Sequence, residues 1–181
     1  MRFVQPIREK EKVRELIEFL EERNERDALM FMTGIYTGLR ISDILQLRVK
    51  QVRNTQYIVI REQKTQKTKR FYIVNELRRA IDRYIDGKKD NEYIFKSREG
   101  RNKPITRVRA YEILRAAARE VGLREVGTHT MRKTFGYHIY QKEKDVAMLQ
   151  DIFNHSSPYI TLKYIGVNQD AIDVAMKKLR F

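Results

Sequence analysis

The chain of 181 residues has no cysteine, which excludes disulfides, thiolate metal sites and cysteine nucleophiles. No apolar run approaches membrane-spanning length, and the N-terminus lacks the apolar core of a signal peptide. No cluster of Asp and Glu has metal-ligand spacing, which argues against a two-metal nuclease. Repeats and low-complexity segments are also missing. Acidic charge is scarce: 38 Lys and Arg stand against 24 Asp and Glu, a formal net charge of +14 with a pI of about 10.0. These properties describe a soluble, intracellular, basic protein, long enough to bury a core as one domain. The expected partner is a polyanion, nucleic acid first. Charge by itself also fits a solubilising surface or a ribosomal-type protein.

Hydrophobic spacing predicts a mostly helical α+β fold with one small antiparallel sheet. Val13, Leu16, Ile17 and Leu20 mark an amphipathic helix over 8–23. Residues 28–36 are almost wholly apolar, as in a buried helix that ends at Thr37-Gly38 with glycine as its cap. A short helix restarts at Arg40. The β-rich runs Tyr57-Ile58-Val59-Ile60 and Phe71-Tyr72-Ile73-Val74 flank a polar stretch, which reads as a hairpin with a long basic tip over 61–70. Asn75 is expected to cap the next helix, and Tyr93-Ile94-Phe95 to form a brief strand between loops. Thr106 opens a further helix that Gly122 closes. Thr128 is expected to cap the helix carrying His129 and Arg132, and Asp145 to cap one through Phe153. In the tail, Ile172, Met176 and Leu179 share one stripe.

The residue types that could carry chemistry lie in a few stretches. His129 and Arg132 are three apart on a predicted helix, so they share a face. With Arg40 they offer two planar guanidinium forks, the group best matched to phosphate oxygens, and able to stabilise charge developing on a phosphodiester under attack. Tyr164, nine residues after His155, is the candidate nucleophile. A free phenol has a pKa of about 10, so only on the order of one in a thousand is ionised at neutral pH. It needs a base, and His129 could take the proton. His155 would stand beside the phosphate as a hydrogen-bond donor, and Lys64 at the hairpin tip could protonate the leaving 5′-oxygen. Lys67 and Lys69 share that tip and are the alternatives to Lys64.

Thr37-Gly38-Leu39-Arg40-Ile41-Ser42-Asp43, Lys64-Thr65, His129-x-x-Arg132 and His155-x8-Tyr164 resemble the catalytic domain of the tyrosine recombinase (phage integrase) family, in the family's order and spacing. The ending Thr161-Leu162-Lys163-Tyr164-Ile165-Gly166 is especially similar. The resemblance implies a tyrosine recombinase catalytic-domain fold over 1–181. It also implies a site-specific DNA recombinase or integrase that cuts and rejoins strands through a 3′-phosphotyrosyl link, without metal, ATP or other cofactor. Arg40 and Arg132 would clamp the phosphate, His129 and His155 assist, Tyr164 attack and Lys64 act as general acid. Asp43 would orient the arginines from behind. The sequence departs from the family at Asn154, where glycine is usual, and at Lys133, where histidine or arginine is usual.

Family members usually precede this domain with a helical core-binding domain, which the resemblance leaves absent here. The chain is therefore expected to be an excised domain or a minimal member that binds double-stranded DNA weakly, through phosphates. Basic surfaces over 61–70 and 101–124 are the expected contacts, with Lys67, Lys69, Arg70, Arg107, Arg109 and Lys133 as DNA-binding residues. The resemblance further implies a homo-tetramer on DNA, a monomer when isolated, possible accessory DNA-bending proteins, no membrane, and work in the cytoplasm at the nucleoid. The tail over 168–181 would dock on a neighbouring protomer, or else fold back on its own domain. The rival functions are type IB topoisomerase-like relaxation and a non-catalytic DNA-binding protein of the same fold.

Overall fold

The computed structural model describes residues 4–179. Its centre is α2 (Glu25–Thr37), whose residues from Ala28 to Met32 are all buried. Apolar residues on every face suit a helix enclosed by others. It packs against α1 (Lys10–Arg23), α4 (Asn75–Ile85) and α6 (Thr128–Glu143). Asn24 starts it, its side chain accepting the Arg26 N–H. Gly38 ends it in the left-handed conformation at φ 65, and a Cβ there would stand 2.4 Å from the Phe135 ring. The main core joins Leu16 and Leu20 of α1, Phe31 of α2, Ile58, Leu77 and Ile81, and Phe95.

The short α3 (Ile41–Leu45) follows, and a single 3₁₀ turn over Val49–Gln51 leads to β1 (Tyr57–Arg61). This strand pairs antiparallel with β2 (Thr68–Tyr72), Tyr57 opposite Tyr72 and Arg61 opposite Thr68. The hairpin was expected, but its register was not. Pairing runs into the basic stretch, so the tip shrinks to 62–67 and Ile73 and Val74 fall outside the strand. Thr68, Lys69 and Arg70 pair through their backbones, and strand pairing does not require apolar side chains on an exposed sheet. Tyr93 makes only an isolated bridge to Arg48 in place of a strand.

Two of the expected caps are displaced by one residue. Asn75 is the first residue of α4, with Val74 in the cap position, and Thr128 is the first residue of α6, after Gly127. There the Thr130 hydroxyl accepts the Gly127 N–H. Thr106 caps α5 (Arg107–Glu120) and Asp145 caps α7 (Val146–Phe153) as expected. Ser157 caps α8 (Pro158–Ile165), with Pro158 at its first position, where a missing N–H costs nothing.

A second, smaller core unites α6, α7 and α8 through Leu149, Phe153 and Ile165, with Phe135, Leu162 and Tyr164 against them. Gly136 on α6 makes that junction possible. A Cβ there would lie 2.7 Å from both Ile165 and Phe153, so only hydrogen lets the three helices approach. We expect Gly136→Ala to lower the melting temperature. Helix propensity favours alanine by about 1 kcal/mol, but overpacking a filled junction costs about 1–3 kcal/mol. Thermal denaturation checks this, and an unchanged or raised Tm would contradict it.

The last helix, α9 (Val167–Lys177), buries no residue. An ion pair between Arg8 and Asp170 ties down its first turn. Ile172, Met176 and Leu179 face solvent together with Val174. Among the described residues no helix is long and apolar enough to cross a membrane.

Candidate active site

Arg132 is the most enclosed cation of the site, 3% exposed on α6. It donates to the Gly38 carbonyl and, at 3.2 Å, to the Phe153 carbonyl, and its guanidinium lies 4.4 Å from the centre of the Phe153 ring. Burial pulls its pKa down to about 10, against the nearby Tyr164, Glu62 and Asp43 groups that raise it. It is therefore charged at neutral pH. The two carbonyls close α2 and α7, so one side chain ties two helix ends together at the site.

Arg40, in the cap position of α3, donates to the same Phe153 carbonyl at 3.4 Å. Two guanidinium groups 92 positions apart in the chain thus converge on one oxygen. Arg40 also pairs with Glu62 at 2.6 Å. Glu62 is fully buried and was not singled out from the sequence. Its other oxygen accepts from the Thr65 hydroxyl and the Asn154 side-chain amide. Asp43 contacts neither arginine by hydrogen bond: one oxygen accepts the Gln63 N–H at 2.9 Å, and the other has no partner among the described residues. Burial raises its pKa above the usual carboxylate range.

Tyr164 projects from α8 into the second core. Its ring stands edge-on to those of His155 and Phe153, with centroids 5.1 Å and 5.5 Å away. Its hydroxyl lies 3.4 Å from His129 Nδ1. Burial raises the phenol pKa, while the charges of Arg132 and Arg40 and a hydrogen bond from Arg132 pull the other way. Burial lowers the pKa of His129, and so do the surrounding cations, Lys133 first. His155 is lowered by burial and then by Arg132, Arg40 and Lys64. Both imidazoles are therefore neutral at pH 7. His155 Nδ1 lies 3.1 Å from the Thr161 hydroxyl, which reaches the Ser157 carbonyl in turn. That chain assigns the His155 proton to Nδ1 and leaves Nε2 as an acceptor until the ring takes a second proton.

Lys64 is exposed at the hairpin tip and opens onto a cleft of about 370 Å³ shared with Arg40, Arg107, His129 and Arg132. The competing lysines lie differently. Lys67 is exposed away from that lining, and Lys69 turns back to donate to the Asp151 and Ile152 carbonyls at the end of α7. Arg70 stacks on Tyr57, and Arg109 pairs with Glu112 on the outer face of α5. Lys133 donates to the Val4 carbonyl and stands 5.3 Å from the centre of the Tyr164 ring. His138 holds the Ile7 carbonyl, and Tyr159 points into solvent. Among the described residues no group of three or more His, Asp and Glu is placed to hold a metal ion.

A mainly helical domain with one hairpin, whose nucleophile candidate sits on a short helix beside a histidine and two arginines, has the fold of a tyrosine recombinase catalytic domain. The crystal structure of XerA recombinase superposes with a TM-score of 0.75 at 21% identity, covering 98% of this chain and 65% of that one. XerH recombinase bound to palindromic difH substrate, in a post-cleavage complex, gives 0.72 at 18% identity, covering 98% and 54%. The chain belongs to the phage integrase family, whose model matches residues 7–170. It is 51% identical over 177 residues to the protein named "Probable integrase/recombinase YoeC" of Bacillus subtilis (strain 168), covering 98% of this chain and 97% of that protein. The chain thus spans nearly all of the Bacillus protein and about two thirds or less of the two solved recombinase chains.

Proposed function

We propose that the chain is a site-specific DNA recombinase that cuts and rejoins strands through Tyr164. One observation carries this reading: the Tyr164 hydroxyl stands 3.4 Å from a neutral imidazole, beside two guanidinium groups gathered at the Phe153 carbonyl. His129 Nδ1 takes the phenol proton as the oxygen attacks phosphorus. Arg40 and Arg132 stabilise the charge that gathers on the non-bridging oxygens. His155 assists from the α7–α8 joint; an anionic phosphate nearby opposes the lowering of its pKa and favours the doubly protonated, donating ring. The bond from phosphorus to the 5′-oxygen breaks, and Lys64 supplies the proton that oxygen needs. The products are a 3′-phosphotyrosyl link and a free 5′-hydroxyl. One phosphate ester replaces another, so bond energy is retained, and the 5′-hydroxyl of a partner strand reverses the step.

The test is covalent capture. Wild-type protein is incubated with a pool of nicked duplexes of randomised sequence and resolved under denaturing conditions. A DNA adduct enriched in one sequence is expected. Binding without adduct would point to a non-catalytic DNA-binding protein, and relaxation of supercoiled DNA with no sequence preference would point to the topoisomerase.

The imidazole shift sets a pH expectation. A histidine with a lowered pKa stays a competent base to lower pH, so at subsaturating DNA, where the profile reports the free protein, the acid limb of adduct formation should fall below about 6.5, the ordinary histidine value. His129→Gln should remove that limb and slow the reaction by about 10²–10⁴-fold. A limb at or above 6.5, or one retained in the variant, would contradict the assignment of His129 as base.

The reading extends to assembly and place. The protein works on double-stranded DNA at the nucleoid in the cytoplasm, as a monomer that assembles into a tetramer there, with or without DNA-bending accessory proteins. The exposed stripe of α9 seats on a neighbouring protomer. A groove of about 650 Å³ lined by Val13, Ile17, Ile35, Phe135 and Ile139 offers an apolar seat. We expect Ile172→Ser with Met176→Ser, which spares the Arg8–Asp170 ion pair, to cut multimeric complexes on DNA by at least about tenfold while leaving Tm unchanged. Undiminished multimers in a gel-shift titration would sink the docking. Basic residues at the mouth of the cleft, Lys64 and Arg107 above all, meet DNA phosphates, so affinity should fall steeply with salt.

A further inference from the structure

Glu62 is the carboxylate at which three separately encoded pieces of the site meet. It follows β1 at the start of the hairpin tip and is 0% exposed. A carboxylate there is costly unless its charge is matched and its lone pairs are filled. Both conditions are met. One oxygen takes Arg40 at 2.6 Å; the other takes the Thr65 hydroxyl at 2.7 Å and the Asn154 amide at 2.9 Å. The backbone of Glu62 is clasped within the tip as well, its N–H donating to the Lys67 carbonyl and its carbonyl accepting from Gln66. Thus Arg40, the turn that carries Lys64, and the residue directly before His155 share one anchor.

Asn154 explains how the anchor reaches the α7–α8 joint. It ends α7 in the left-handed conformation at φ 53, ψ 47, which glycine adopts without strain and asparagine tolerates better than most. Glycine would satisfy the backbone there, yet it would present nothing to Glu62. Lys69 makes a second staple beside it, donating to the Asp151 and Ile152 carbonyls. Hairpin and the end of α7 are therefore joined at two points.

We propose that Glu62, acting with Asn154, is a positioning residue for strand cleavage: it orients the Arg40 guanidinium and locks the Lys64-bearing tip to the joint that carries His155 and leads to Tyr164. This rests on the strand-cleavage reading above. Glu62→Gln keeps the shape but turns an amide N–H₂ toward donors, and a misplacement of about 1 Å costs on the order of 10²-fold in rate.

The experiment compares single-turnover adduct formation at saturating DNA, using the duplex recovered from the wild-type adduct, with DNA affinity and Tm for each protein. Glu62→Gln should react about 10²-fold more slowly. Asn154→Gly, which relieves the backbone and removes only the side-chain contact, should be slower by about 3–10-fold, with affinity within about twofold and Tm unchanged or higher. The double variant should be no slower than Glu62→Gln alone, because both changes break one unit. An Asn154→Gly protein that cleaves at the wild-type rate would overturn the proposal. So would rate losses that multiply in the double variant, or an Asn154→Gly rate loss that follows a loss of affinity or Tm. Should Glu62→Gln fail to fold, Asn154→Gly decides alone. Wild-type protein that forms no adduct would overturn the strand-cleavage reading itself, a different failure from the one just described.

Discussion

Tyr164→Phe should leave a folded protein that binds DNA and forms no covalent adduct. The change removes a single oxygen. The ring's edge-on contacts with Phe153 and His155 need no hydroxyl, so the second core stays filled. The lost interactions are the 3.4 Å approach to His129 and the contact with Arg132. Losing the hydroxyl's hydrogen bonding shifts stability by about 0.5–1.5 kcal/mol. Chemistry responds very differently. Removing a nucleophile that acts as a unit with its base costs about 10⁶-fold in other covalent enzymes, so loss by at least ~10⁴-fold, to below detection, is the expected result. Denaturing electrophoresis reads the adduct, and circular dichroism with thermal melting reads the fold. An adduct that persists would show that another residue attacks.

Arg132→Lys should cost both activity and stability, which separates it from Tyr164→Phe. The guanidinium serves the Gly38 and Phe153 carbonyls at once and lies over the Phe153 ring. An ammonium carries the same charge on a compact head and cannot span both acceptors in the plane the fork provides. A buried carbonyl left without a donor costs about 1–3 kcal/mol, so the melting temperature should fall. The phosphate also loses one of its two forks, and removing one such donor costs about 10²–10³-fold in rate. Arg132→Ala should be worse on both counts. A lysine variant with wild-type Tm and wild-type cleavage would mean that Arg132 holds neither the helix ends nor the phosphate.

The residues that were legible in the sequence are those whose meaning is local. A glycine after a buried apolar run and a histidine three positions from an arginine each follow from one stretch of chain, and the helices around them formed where expected. The hairpin was legible as a hairpin, because its two apolar runs are separated by polar residues. Its register was not. Thr68, Lys69 and Arg70 read as tip residues, whereas backbone pairing opposite Arg61, Ile60 and Val59 makes them strand. That shift also decides which lysine can face the cleft. Lys69 lies on a strand beside the end of α7 and is drawn to its carbonyls, and Lys64 stays in the turn.

Glu62 carried no local signal at all. Among 24 acidic residues it looked like one more charge in a basic stretch, and only the docking of the hairpin against α3 and α7 encloses it. A retrospective hint exists in Asn154, a residue with a side-chain amide where the family usually has none. Asp43 shows the converse. The family resemblance implied that it stands behind the active-site arginines, and its hydrogen bond goes to the hairpin backbone at Gln63. Sequence spacing fixes which helix face a side chain leaves from, and not which of two nearby partners it meets.

The most direct measurement is the identity of the residue joined to DNA. The adduct formed by the wild-type chain would be digested with trypsin and nuclease and its nucleotide-bearing peptide sequenced by mass spectrometry. The expected result is a nucleotide attached through its 3′-phosphate to Tyr164, in the peptide that ends the α8 helix. A nucleotide on Tyr137, Tyr140 or Tyr159, or a link through a 5′-phosphate, would contradict the assembly of this site around a single phosphorus atom.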